Sequence, residues 1–350
     1  MDSKKNNVII FKNDAVGDLT QSLQAINGII EKHKEQKIII YLSERSKKFN
    51  FLINGNNLEF KNISYDMKIK EKIQIILFIL FNTISNIYIL TPKKFYYYLP
   101  LLFKNIRFSA LCINGRNNYK RPSEYLRKFL FNYVVNDRNA NYKREHTSKL
   151  QLRLINNDHS NYKHFKINLI LKKTDFLKKN LPKNYIYFHI KKDITDKLEW
   201  NINSLEILFK ELLNHYDNVV FTKDLEKKAN DHFFKDKFQV VDFQSKKIIT
   251  KNSKSKILFF DNIEGKDLYN TIRYASKIIA FHGMMTNLAS LEKKRIIDMW
   301  FLNIKNSNDY KNYRNAFYEF KPNYTGYNFT IPDKDIYKTI KKIRYSLQND

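Results

Sequence analysis

Two α/β domains, each a mainly parallel sheet of alternating strands and helices, are what this sequence predicts, and three observations predict them. The chain has 350 residues, too many for one comfortable core and suited to two domains of roughly 150–180 residues each. Strand-like runs alternate with amphipathic helical runs, once from the N-terminus and again after Pro182. The strand-like runs are continuously apolar, as strands covered on both faces require.

The first half opens with VIIFK (Val8 to Lys12), a short loop NDAVGD, and a helix with Leu19, Leu23, Ile26 and Ile30 on one face. KIIIYLS follows as a buried strand. Strand, helix and strand within about 35 residues make a βαβ unit with a right-handed crossover. The run Ile73 to Leu90, IQIILFILFNTISNIYIL, approaches a membrane span in length and has basic flanks. Gln74, Asn82, Ser85 and Asn86 interrupt it, so a buried helix ending near Asn82 and then a buried strand is the preferred reading. A helix lying in a membrane interface is the alternative. From Lys93 to about Asn180 the pattern is less regular: FYYYLPLLF, YLRKFLFNYVV and REHTSKLQLRLI read as helices, and residues 156–182 as a linker.

The second half restarts with the strand PKNYIYFHI, a loop KKDITDKLEWN, and a helix carrying Leu205, Leu208, Phe209, Leu212 and Leu213. NVVFT, QVVDF, KILFF, KIIAF and RIIDMWF read as strands, and DLYNTIRYAS and HGMMTNLASLEK as helices. DKDIYKTIKKIRYSL closes the chain as a basic helix with Ile336, Ile340 and Ile343 on one face.

Hydrophobic residues make up 43% of the chain and aromatics 15%, enough to fill two cores and to exclude a disordered polypeptide. Lys and Arg total 63 against 35 acidic residues, a formal charge of +28 that attracts polyanions of any kind. The lysines are spread along the whole length, so compositional drift accounts for the charge as readily as a partner does. The one cysteine, Cys112, sits in the apolar segment SALCI, which excludes an internal disulfide and a Cys-based zinc site and reads as a small core residue. The N-terminus lacks the apolar stretch of a signal peptide, so the cytoplasm is the default expectation.

With only seven glycines, placement is informative. Gly17 falls in the first βα loop and Gly283 in the loop after KIIAF, where backbone could approach a ligand and the next helix offers free N–H groups to an anion. Taken alone, each is better explained by an ordinary tight turn, and neither loop is a GxGxxG or Walker sequence. Asp18 beside Gly17 reads as a helix-capping carboxylate or as a general base, and Asp14 in the same loop is a rival for either role.

VIIFKNDAVGDLTQSLQAI resembles the opening of the lipopolysaccharide heptosyltransferase family (glycosyltransferase family 9-like). IKKDITDKLEWNINSLEILFKEL and ASKIIAFHGMMTNLASL resemble two later segments of it. The resemblance implies the GT-B fold: two Rossmann-like βα domains facing a central cleft, residues 1–180 for the acceptor, 183–332 for the nucleotide-sugar, and 333–350 as a C-terminal basic helix. It makes Asp18 the catalytic base, with Asp14 and Gly17 on the acceptor-side loop. Lys197 is its donor-phosphate lysine, with Lys191 and Lys192 as alternates. It assigns donor phosphates to His282, Gly283, Met284, Thr286 and Asn287. The family's Asp-Thr-Gly is here Phe281-His282-Gly283, with Thr286 in place of the usual histidine. Lys197 and Trp200 are three residues apart where the family has two, and SLQAI lacks the proline usual at that point.

The activity implied is inverting glycosyl transfer from a nucleotide-sugar to a lipopolysaccharide-core or other surface-glycan acceptor, without a metal or other cofactor. The absence of an Asp-x-Asp pair at a strand end agrees with metal independence. The charge and the run FYYYLPLLF fit peripheral contact with an anionic membrane at its cytoplasmic face. Two rival readings are a nucleic-acid or polyanion binder and an inactive GT-B scaffold that binds glycan or nucleotide. Against the first, the aromatics sit in apolar-periodic segments that core packing explains, and no nucleic-acid motif appears.

Overall fold

A computed structural model of the chain describes residues 6–114, 123–137, 145–155, 171–224, 232–249, 256–292, 294–301 and 327–348. They form two compact units, the first holding the described residues up to 155 and the second those from 171 onward. Most of the expected linker, residues 156–170, lies outside the described residues.

The first unit is a six-stranded, all-parallel sheet of β1 (Asn7–Lys12), β2 (Ile38–Ser43), β3 (Leu58–Ile63), β4 (Ile84–Ile89), β5 (Arg107–Asn114) and β6 (Asn132–Asp137). The strand order is β3-β2-β1-β4-β5-β6. Val8 pairs with Ile38 on one side and Asn86 on the other, and Val8 to Phe11 are wholly buried, so the continuous apolar run means what it should. Its helices are α1 (Val16–Lys32), α2 (Ile69–Phe81), α3 (Lys94–Leu102), α4 (Glu124–Arg127) and α5 (Thr147–Arg153). One face of the sheet is covered by α2, α3 and α4 through Ile75, Ile79, Tyr96, Leu99 and Leu126, packed on Ile9, Phe11, Ile87 and Cys112. Right-handed crossovers put α1 on the other face, where Leu19, Leu23, Ile26 and Ile29 are fully buried. Burial pushes the Cys112 thiol up to about 12, which fits an inert core residue.

Two expectations are corrected here. Helix α2 does end just before Asn82, and strand β4 does follow, but the helix is not buried. Ile75 and Ile79 face the sheet, while Ile69, Ile73, Leu77, Leu80 and Phe81 are exposed. Among the described residues no helix is long and apolar enough to cross a membrane. YLRKFLFNYVV is a one-turn helix and then strand β6: Tyr133, Val134 and Val135 favour the pleated pairing that β5 offers over another helical turn.

The second unit is an eight-stranded sheet of β7 (Ile186–Ile190), β8 (Val219–Lys223), β9 (Gln239–Asp242), β10 (Lys247–Ile249), β11 (Ile257–Asp261), β12 (Lys277–Phe281), β13 (Ile296–Met299) and β14 (Tyr327–Thr330). The order is β10-β9-β11-β8-β7-β12-β13-β14, all parallel except β10, which folds back antiparallel on β9. The helices are α6 (Asp175–Asn180), α7 (Lys192–Lys197), α8 (Ile202–Leu212), α9 (His232–Lys237), α10 (Gly265–Tyr274), α11 (Met284–Leu291) and α12 (Ile336–Gln348). KKDITDKLEWN, read as a loop, is largely α7. Helix α6 belongs to this unit: Thr174 caps it and also donates to Asp267 at 3.0 Å. The closing helix α12 is likewise built in, with Ile336, Ile340 and Ile343 joining Leu205, Leu208, Phe209 and Leu212 of α8 in one core.

Candidate functional site

In each unit the first strand has its sequence successor on one side and a later strand on the other. Such a reversal opens a crevice at the carboxyl ends of the two strands. In the first unit the reversal lies between β1 and β4, in the second between β7 and β12. Lys12 and Asp14 lie at the first of these strand ends, and Lys191 and Gly283 flank the second.

At the end of β1, Lys12 is buried and its Nζ donates to Asp14 Oδ2 at 2.7 Å. Burial raises the Asp14 carboxyl above the ordinary carboxylate range; Lys12 opposes that shift and the nearby Asp18 adds to it. Asp14 Oδ1 has no partner. The loop is pinned by Tyr96, whose hydroxyl donates to Asn13 Oδ1 at 2.7 Å, and by Ser43, whose hydroxyl donates to the Asp14 carbonyl at 2.6 Å. Helix α1 opens at Ala15, with no side-chain cap. Asp18, in its first turn, therefore does not serve as the N-cap. It is exposed, and it lines a cavity of about 440 Å³ together with Lys12, Asp14, Tyr65, Lys72 and Gln151. Gly17 is ordinary helical backbone in α1, with no positive φ. Its lack of a side chain is not required by its conformation.

At the end of β12, Gly283 has φ +156°, and a Cβ there would collide with the ammonium of Lys191 from the end of β7. Lys191 Nζ donates to the His282 carbonyl. Burial holds its pKa below the ordinary lysine value, against the pull of Asp224, Asp298 and Asp193. Gly283 is also the N-cap of α11, so the N–H groups of that helix's first turn open beside Lys191.

A second layer fixes this loop. Asp298, fully buried on β13, accepts from Thr286 Oγ1 at 2.8 Å and Trp300 Nε1 at 2.7 Å, and lies 2.8 Å from His282 Nδ1. The His282 ring stacks on Trp300 with centroids 3.6 Å apart. Asn287 Nδ2 donates to the Gly283 carbonyl at 3.0 Å. On the β8 side, His189 bonds Thr222 through Nδ1 at 2.9 Å, and its Nε2 lies 3.6 Å from Asp224 Oδ1.

Of the residues singled out from sequence, Asp14 and Asp18 share one cavity, and His282, Gly283, Met284, Thr286 and Asn287 share one loop with Lys191. Lys197 stands apart: it is exposed on the last turn of α7, its Nζ 5.8 Å from the Phe301 ring centroid. Lys192 pairs with Asp196 at 2.9 Å on the surface. The Thr286 hydroxyl is turned inward to Asp298, so it shapes the loop. Asp298, Trp300, Asp224 and His189 were not singled out. The one available signal was Asp298 itself, a lone carboxylate inside RIIDMWF, which a buried strand tolerates only with partners. Among the described residues no group of three or more His, Cys, Asp or Glu side chains is placed to hold a metal ion.

No family model and no curated protein matches the chain. Solved structures do. A glycosyl transferase family 9 protein from Veillonella parvula superposes with a TM-score of 0.64 at 10% identity, covering 100% of this chain and 99% of that one. E. coli ADP-heptose lipopolysaccharide heptosyltransferase II gives 0.61 at 12% identity over 98% and 99%. E. coli heptosyltransferase WaaC with ADP gives 0.59 at 9% over 98% and 97%. Identities this low carry the architecture alone. Two Rossmann-like units in this order give the chain the GT-B fold, the fold of these glycosyltransferases.

Proposed function

We propose that the protein is a glycosyltransferase that moves a sugar from a nucleoside-diphosphate donor to a hydroxyl of a glycan. The observation that carries the reading is the Gly283 loop: a backbone position whose φ of +156° disfavours any side chain, against a half-buried ammonium, at the opening of a helix. That combination suits a diphosphate, which needs close backbone approach, N–H donors and positive charge. Two of the structural neighbours are an ADP-heptose heptosyltransferase and a heptosyltransferase with ADP, which supports a nucleotide-sugar here.

In the reaction so read, the Asp18 carboxylate takes the proton from the acceptor hydroxyl. The oxygen attacks the anomeric carbon, the bond from that carbon to the diphosphate breaks, and the electron pair leaves with the diphosphate. Configuration inverts. Lys191 and the N–H groups at the start of α11 receive the charge that develops on the leaving group, worth several kcal/mol when such donors are fixed in place. Asp298 acts one step back, holding His282 and Thr286 so that the loop keeps its shape. The family's phosphate lysine is thus read as Lys191 in preference to Lys197. No metal is given a part in this scheme. The acceptor is read as a lipopolysaccharide-core or similar surface glycan, by likeness to the E. coli enzymes, which sets the protein peripherally at the cytoplasmic face of the membrane carrying that glycan.

The test is thermal stabilisation and donor hydrolysis against ADP-, UDP-, GDP- and CMP-sugars. One nucleotide series should stabilise the protein and be turned over. No response to any member would sink the reading and leave only the fold.

A further inference from the structure

The outer face of α2 is apolar and uncovered. Ile75 and Ile79 already fasten the helix to the sheet, yet Ile69 (75% exposed), Ile73 (51%), Leu80 (63%) and Phe81 (78%) form a stripe along the opposite side. A helix that only had to cover the sheet would carry polar residues there. Helix α3 packs on the same sheet face through the same core, and it too turns apolar groups outward, Tyr98 and Leu102.

The segment that carries these two helices is one-sided in charge. From Met67 to Asn114 the sequence has seven basic residues, among them Lys68, Lys70 and Lys72, and one acidic residue, Glu71. The Glu71 carboxylate is occupied, accepting from the backbone N–H of Ser64 and of Lys68 at 2.6 Å each and from the Ser64 hydroxyl. We propose that the outer faces of α2 and α3 are where the protein lies on an anionic lipid bilayer, with the apolar stripe in the headgroup–acyl boundary and the lysines among the headgroups.

The chemistry selects this occupant over two others. A second copy would bring the same positive surface against itself, in a chain of formal charge +28. A nucleic acid would use the lysines but not an aliphatic stripe, since its bases stack on planar rings. A bilayer uses both, and a helix of 13 residues is suited to lie in its interface. Lys72 also lines the first unit's cavity, so the bilayer contact borders the cavity wall. A glycan carried on that bilayer would reach the cavity from its anchoring surface. This last point rests on the glycosyltransferase reading, whereas the docking itself does not.

The test is flotation of the full chain with vesicles of phosphatidylcholine, with or without a quarter phosphatidylglycerol. Binding should require the anionic lipid and fall at 1 M salt, where the screening length shrinks to about 3 Å. Leu80→Gln with Phe81→Gln should lower the partition coefficient by about tenfold per residue. Lys68→Gln with Lys70→Gln should lower it by roughly fivefold per lysine. Ile249→Gln, on the second unit, should leave it unchanged, and an unaltered melting temperature shows that each variant is folded. Three results would overturn the proposal: no binding to anionic vesicles, binding that survives loss of Leu80 and Phe81, or a dimer in solution that the same double variant dissolves. Asp18→Asn should float like the wild type, so failure of the transfer chemistry and failure of docking remain separate outcomes.

Discussion

Lys191→Met separates a binding role from a structural one, because the two roles predict opposite changes. The side chains are similar in length, so the half-buried stem keeps its contacts. What is lost is the ammonium and its bond to the His282 carbonyl. A neutral hydrogen bond of that kind contributes about 0.5–1.5 kcal/mol, and one to a charged group about 1.5–3. Set against that loss is the relief of no longer holding a charge that burial disfavours. The two terms oppose each other, so the loss of stability should be smaller than the full worth of that bond, below about 3 kcal/mol. Nucleoside diphosphate affinity has no such offset. Losing one charge-assisted bond to phosphate should weaken it by about 10- to 150-fold, which isothermal titration calorimetry resolves.

The pH dependence adds a check. The folded pKa of Lys191 lies below the unfolded value near 10.5, so the cost of keeping the charge is fully present below the folded value and is relieved as pH climbs toward 10.5. Affinity runs the other way, falling as the ammonium loses its proton. Wild-type affinity should therefore drop in alkali earlier than an exposed lysine would allow, and the Met variant should show no such drop. A Met variant that binds diphosphate like the wild type would refute the reasoning. So would one that loses about 3 kcal/mol or more of stability with no selective loss of affinity.

Asp18→Asn should cut glycosyl transfer by about 10²–10⁴-fold with the melting temperature unchanged, since the carboxylate is exposed; near-normal turnover would remove it as the base. Gly283→Ala puts a Cβ against the Lys191 ammonium and should abolish nucleotide-dependent stabilisation. Shortening the lysine as well, in a Gly283→Ala, Lys191→Ala double variant, removes the collision but not the backbone strain at φ +156°, so it should stay less stable than the wild type and fail to bind, as thermal shift with and without nucleotide would reveal. Asp298→Ala strands the donors of Thr286 and Trp300 and should cost about 3 kcal/mol in denaturant unfolding; a loss below about 1 kcal/mol would show that the loop does not depend on it.

What could be read from the sequence was whatever a short window decides. Continuous apolar runs such as Val8 to Phe11 and Ile38 to Leu42 announce buried parallel strands, and their alternation with helices announces the fold. Asp18 and Gly283 were visible because loop and helix start adjoin in the chain. The rest depends on distant pairing. Lys191 was not separable from Lys192 or Lys197 by spacing, because its significance comes from β12 lying beside β7. Trp300, two residues on, was within reach of a short window around Asp298, but its other partners, His282 and Thr286, come from the turn after β12 and the start of α11, which no such window contains. The outward face of α2 was misread because an all-round apolar helix normally has a neighbour on every side, and this one does not.

The strand reversals have a consequence for how the protein comes to be folded during synthesis. β7 emerges early in the second unit, yet the neighbour that completes its crevice is β12, with Ile186 beside Lys277. A nascent chain that ends before Phe281 can pair β7 with β8 and bury much of that core, but it has no Gly283 turn and no α11. Contacts this far apart in sequence form late, because the intervening chain must be closed first. In refolding from denaturant, recovery of nucleotide binding should therefore lag recovery of helical signal, and the lag measures the time taken for the last strands to join the sheet.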